Sequence, residues 1–183
     1  VCELPNSIEL IGGENIVVKN CQLGAQPTGI TCKVQEVNKL SFINNQVYPD
    51  GRENLVLDAC NNCVIEGNNF KSYYNGILVL NGNDNTVNKN IFWLTGAVQN
   101  QLLDHGDDFG IINVKGNNNM VASNSLSCEW AYAGAVTVNA VQGTGNVFKN
   151  CFVDNLESYR VFLVNAQTEV SNCVSSDKVS IVE

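Results

Sequence analysis

One phrase recurs along this chain and constrains its fold more than any other feature. It consists of an aliphatic residue, two variable residues, Asn, one variable residue and a large apolar residue. The copies begin at Phe42, Ile65, Val87, Val121 and Val147, as in Ile65-Glu66-Gly67-Asn68-Asn69-Phe70. Val18 to Leu23 carries Cys21 in the Asn place, and a degenerate copy ends at Asn172 and Val174. From Cys21 through Asn45, Asn68, Asn90, Asn124, Asn150 and Asn172 the steps are 24, 23, 22, 34, 26 and 22 residues. Second apolar bursts stand between the copies, among them Ile8-Glu9-Leu10, Leu55-Val56-Leu57 and Val136-Thr137-Val138. Each repeat therefore holds at least two short strands with turn chemistry between them, which is the signature of stacked repeats.

A leucine-rich repeat needs a denser Leu pattern, and a propeller blade needs four strands per repeat. An all-β, right-handed parallel β-helix of about seven rungs fits instead. Rungs stacked about 4.8 Å apart would give a rod roughly 34 Å long. An Asn recurring once per rung can bond the same group on the next rung, and its backbone tolerates the bend. Asn68, Asn90, Asn124 and Asn150 are expected to stack in one line, as a structural ladder with no chemistry. Composition agrees: 29 Asn and 24 Val are poor helix formers, and Val suits a pleated surface. No linker divides the chain, so residues 1–183 read as one domain. The 34-residue step marks a loop insertion at about 93–108.

The balance of 18 acids against 10 bases, net −8, disfavours nucleic acid and anionic membranes as partners. No apolar run approaches the roughly 20 residues of a membrane-spanning helix. There is no Walker loop and no Gly-x-Ser-x-Gly elbow. With a single His, no metal site is evident, and no cofactor is expected. Most of the eight Cys read as small buried hydrophobes; Cys60 and Cys63 form the one CxxC. Cys151 and Cys173 each follow a ladder Asn by one place. They are expected on adjacent rungs with Cα atoms about 5 Å apart, within disulfide reach.

Candidate functional residues fall into two groups. Glu9, between inward Ile8 and Leu10, points out onto a sheet face. There it is either plainly solvated or one member of a sugar-cleaving carboxylate pair. Asp104, Asp107 and Asp108 crowd the insertion beside His105. They either cap turns or contact a sugar, a cation or a reacting group. Trp93, Tyr73, Tyr74, Trp130 and Tyr132 offer faces for sugar stacking or for packing.

The stretch Ala59-Cys60-Asn61-Asn62-Cys63-Val64, then Tyr74-Asn75-Gly76-Ile77-Leu78, then Asn85-Thr86-Val87, resembles inulin fructotransferase. So do Gly106-Asp107-Asp108-Phe109-Gly110-Ile111 and, upstream, Asn6-Ser7-Ile8-Glu9-Leu10 and Pro27-Thr28-Gly29-Ile30. The collinear match covers about residues 5 to 155. The resemblance implies a secreted, homotrimeric right-handed β-helix that releases a cyclic difructose dianhydride from inulin without metal or organic cofactor. Related enzymes hydrolyse the dianhydride. It implies Glu9 as a catalytic carboxylate; beside it, Asp104, His105, Asp107, Asp108 and Trp93 stand as the substrate-binding candidates read from the insertion itself. The partner Asp of the family would precede Val1, so the expectation is a C-terminal fragment, one half of a two-chain enzyme whose companion chain carries the N-terminal rungs, or a shortened relative recruited for binding. The alternatives are a non-catalytic glycan-binding or structural solenoid, and another polysaccharide lyase or glycoside hydrolase on the same scaffold.

Overall fold

The computed structural model describes residues 2–4, 8–24, 29–48, 53–73, 76–95, 109–128, 136–154, 160–173 and 179–182. Among them the regular structure is entirely β. The strands are β1 (Cys2–Leu4), β2 (Ile8–Glu14), β3 (Val17–Lys19), β4 (Cys21–Leu23), β5 (Cys32–Asn38), β6 (Ser41–Ile43) and β7 (Gln46–Val47). They continue with β8 (Leu55–Asp58), β9 (Val64–Glu66), β10 (Asn69–Ser72), β11 (Leu78–Asn81), β12 (Thr86–Asn88), β13 (Ile91–Leu94) and β14 (Ile112–Val114). The last are β15 (Met120–Ala122), β16 (Ser125–Cys128), β17 (Val136–Ala140), β18 (Val147–Lys149), β19 (Phe152–Asp154), β20 (Arg160–Asn165), β21 (Glu169–Ser171) and β22 (Val179–Val182).

The chain visits three sheets in rotation. Sheet A orders β1-β4-β7-β10-β13-β16-β19, sheet B orders β2-β5-β8-β11-β14-β17-β20-β22, and sheet C orders β3-β6-β9-β12-β15-β18-β21. Neighbours pair in parallel, each strand with its counterpart one repeat on. This is a parallel β-helix.

Strand alternation aims one set of side chains inward. Sheet B stacks Cys32 and Val34 on Leu55 and Leu57, then Leu78 and Leu80, then Ile112 and Val114. Sheet A sends in Leu23, Val47, Phe70, Phe92, Leu126 and Val153, all at most 2% exposed. The Phe70 and Phe92 rings stack with centroids 5.0 Å apart. Burial of such side chains stabilises by roughly 1.5–3 kcal/mol each. On the first rung, Ile8, Leu10, Ile16, Val18 and Cys21 are only partly buried, whereas Cys32, Val34, Leu40 and Phe42 beneath them are fully covered.

The corner from sheet C to sheet A carries the expected ladder. Asn68 Oδ1 accepts the Asn45 backbone N–H at 2.8 Å and its Nδ2 at 3.0 Å. Asn68 Nδ2 in turn donates to the Phe42 carbonyl at 2.8 Å. Asn90 and Asn124 repeat the arrangement. The ladder does not continue to Asn150. Cys151 takes the next place and Cys173 the one after, with the Cys151 N–H donated to Cys173 Sγ at 3.4 Å. Asn150 and Asn172 lie one residue earlier, at φ 54 and 52, where other rungs place Asn20, Asn44, Lys89 and Ser123. That left-handed position also favours Asn, so adjacent Asn-favouring sites make a one-residue slip easy. Cys151 and Cys173 do occupy equivalent sites on adjacent rungs, as thiols.

The corner from sheet B to sheet C holds a second ladder that the repeat phrase does not announce. Asn85, Asn119 and Asn146 are each 1% exposed. Asn119 Oδ1 accepts both N–H groups of Asn85, and Asn146 Oδ1 those of Asn119. Its sequence sign is an Asn five residues before the first ladder, as in Asn85 to Asn90 and Asn119 to Asn124. Glycine is required here: a Cβ on Gly116 would fall 1.7 Å from the Gly82 carbonyl oxygen.

Candidate functional site

With the other two corners closed by ladders, length varies in the third, from sheet A to sheet B. Its connections include 24–31, 48–54, 73–77 and 95–111. The outer columns flanking this corner are the surfaces a ligand would meet. Asp104, His105, Asp107 and Asp108 belong to it but lie outside the described residues, as do Tyr74, Trp130 and Tyr132.

Glu9 stands on the outer face of sheet B in β2. Its Oε1 accepts Lys33 Nζ at 3.2 Å, with the Glu9 side chain 55% exposed. An ion pair this open contributes little to stability. Following its column gives Lys33, Val56, Val79, Asn113, Asn139, Leu163 and Ser180. No carboxylate stands in that column among the described residues.

Trp93 lies in β13 on the outer face of sheet A. Lys71 Nζ sits 4.4 Å from its ring centroid, one rung away in register. The same column runs on through Ser127 to Asp154. Tyr48, 40% exposed, follows Val47 at the head of it. Aromatic faces interleaved with a cation, a hydroxyl and a carboxylate can stack on sugar rings and bond their hydroxyls. Sequence reasoning picked out Trp93 and missed the rest. The signal was present: each member follows the large inward residue of its rung by one place.

The two surfaces are separate. Trp93 shares its rung with Val79, three steps along the Glu9 column, or about 14 Å, and belongs to a different sheet. Farther along sheet B, Phe109, Asn113, Lys115, Asn139 and Gln142 line an open pocket of about 140 Å³. Asn113, 3% exposed, exchanges two hydrogen bonds with the Gly110 backbone at 2.9 and 2.8 Å. It thereby ties the end of the insertion-bearing connection to the sheet.

The profile of the family described as periplasmic copper-binding protein (NosD) matches residues 2–171. The chain belongs to the NosD family. No curated protein matches it. Solved structures of DFA-IIIase from Arthrobacter chlorophenolicus A6 share the fold. The enzyme without its lid aligns at TM-score 0.81 and 24% identity, over 96% of this chain and 46% of that one. Its complex with GF2 aligns at TM-score 0.77 and 21% identity, over 96% of this chain and 49% of that one. A complex with DFA-III aligns at 0.72 and 19%, over 96% and 51%. The NosD-family chain thus spans about half the length of these structures, and its resemblance to that type of β-helix holds at the level of the fold.

The family's description implies copper, which calls for soft or imidazole donors converging on one point. Among the described residues no three His, Cys, Asp or Glu side chains converge so as to hold a metal. Cys60 and Cys63 are a buried pair whose thiols donate to the Asp58 and Asn61 carbonyls at 3.3 and 3.4 Å. Coupling between the two thiols holds Cys60 down and pushes Cys63 up. Cys32 is pushed up to about 12 by burial alone. These residues do not fit a copper site.

Proposed function

We propose that this chain is the sugar-handling part of an extracytoplasmic, fructan-processing β-helix, releasing or cleaving a difructose dianhydride. The observation carrying the reading is the fold likeness, across 96% of the chain, to DFA-IIIase structures including the complex with GF2. The outward-facing column of Lys71, Trp93, Ser127 and Asp154, half-buried except at Asp154, supports sugar contact. Asp104, His105, Asp107 and Asp108 would extend that contact from the insertion. Glu9 would act as one carboxylate of a catalytic pair. One carboxyl cannot readily donate the proton and also stabilise the developing cation. The second acid would come from preceding rungs, or from a neighbouring copy in a homotrimer.

A second reading, a glycan-binding solenoid without catalysis, is favoured by the engagement of Glu9 with Lys33 and by the lack of an acid in its column. Binding of inulin and of GF2 by calorimetry, with turnover followed by chromatography, separates the two. The expected result is fructan binding by the chain alone, weakened about tenfold by Trp93→Ala. Turnover should appear only with the preceding rungs supplied and vanish with Glu9→Gln. Undiminished turnover by Glu9→Gln would remove Glu9 from the chemistry. Fructan binding with no turnover in any combination would leave the binding module.

A further inference from the structure

The Asn ladder at the corner from sheet C to sheet A changes chemistry at its C-terminal end. Asn45, Asn68, Asn90 and Asn124 each pass two hydrogen bonds to the next rung wherever the next member is Asn. Cys151 and Cys173 are linked by one N–H to sulfur contact of 3.4 Å. Sulfur is a weak acceptor, so the final step of the ladder is more weakly bonded than the Asn-to-Asn steps. The thiols themselves donate to backbone carbonyls, Cys151 Sγ to Lys149 at 3.5 Å and Cys173 Sγ to Ser171 at 3.5 Å. Residues in register on adjacent parallel rungs have Cα atoms about 5 Å apart, inside the range a disulfide spans. Sheets A and C end at β19 and β21, so no described strand of either sheet lies beyond Cys173. Cys173 retains 6% exposure, against 0% for Cys60 and 1% for Cys63 in mid-rod.

We propose that Cys151 and Cys173 form a cross-rung disulfide in an oxidising compartment, covalently continuing the ladder where its hydrogen bonds give out. The co-reactant is a small or protein disulfide. Cys173 thiolate attacks one of its sulfurs; a mixed disulfide forms and one thiolate leaves. Cys151 gives up its proton and attacks the Cys173 sulfur, expelling the second thiolate. Two protein thiols become one disulfide, and the oxidant is reduced to two thiols. Cys173 leads because it is the more accessible thiol, 6% exposed against 2% for Cys151. The closed loop spans 22 residues, one full turn of the helix, so closure restricts the unfolded chain far more than a bond within the Cys60–Cys63 turn would.

The test treats the folded, reduced chain with oxidised glutathione, blocks remaining thiols with N-ethylmaleimide and maps the peptides. A peptide joining Cys151 to Cys173 is expected, with Cys60 and Cys63 still thiols. Tm should rise by on the order of 5–10 °C over the dithiothreitol-treated chain. A double variant, Cys151→Asn with Cys173→Asn, should fold through restored amide contacts and melt at the same temperature with and without reductant. Recovery of Cys151 and Cys173 as thiols overturns the proposal. So does a linked peptide with unchanged Tm, or a double variant whose Tm still depends on reductant.

Discussion

The corner from sheet C to sheet A and the corner from sheet A to sheet B join equally regular strands, yet they obey different rules. The first allows two residues between strands on most rungs: one in the left-handed region, then a ladder residue, as in Asn44-Asn45 and Lys89-Asn90. The second tolerates anything from 73–77 to 95–111. In the ladder corner each buried side chain satisfies backbone groups of its neighbouring rung, so a change on one rung is felt on the next. The other corner carries no such ladder among the described residues, and the closure cost of a loop grows only slowly with its length. Chemistry can therefore vary in that corner without unpicking the rod.

The largest way to sharpen this contrast is Asn90→Ala. It strips the Asn68 backbone N–H and Nδ2 of their acceptor and the Ile65 carbonyl of a donor, all in the interior. With buried orphans costing about 1–3 kcal/mol each, a loss of about 3–6 kcal/mol is expected by urea denaturation, enough to abolish folding of a marginal chain. Next comes Gly116→Ala, whose Cβ would meet the Gly82 carbonyl; overpacking of about 3 kcal/mol is expected. Gly12→Ala is its control. With φ +67 and nothing within 4 Å, it should cost only about 1 kcal/mol of left-handed strain. Doubling the connection between β7 and β8 with Gly and Ser should cost about 0.6 kcal/mol. A loss as large as that of Asn90→Ala would break the comparison.

The smallest effect concerns pH. A hydrogen bond from Lys39 at 2.8 Å holds the exposed Glu14 carboxyl below its ordinary value. A depressed carboxyl contributes stability above its unfolded pKa of about 4.3 and loses it as pH falls through the folded value. The Tm difference between wild type and Lys39→Met should be slight at pH 7, smaller in high salt, and gone once the pH has fallen below the depressed folded value.

The amino-acid order by itself determined the architecture. Repeated Asn, alternating aliphatics and a recurring period of about two dozen residues leave few other ways to bury the apolar face of each short strand. It also placed Cys151 and Cys173 on adjacent rungs. It did not resolve which of two neighbouring Asn in a turn faces inward. The left-handed backbone position and the ladder position both favour Asn, and only stacking against the next rung separates Asn150 from Cys151. The ladder of Asn85, Asn119 and Asn146 was hidden because its Asn series is short, with Cys63 in the place one rung before Asn85. The site followed the same division. Glu9 and Trp93 were legible as outward residues on strands. That Glu9 faces Lys33, that Trp93 lies under Lys71, and that the two stand on different sheets was decided by register. Parallel pairing brings together residues one repeat apart, and repeat lengths from 22 to 34 residues leave that alignment to be set by packing.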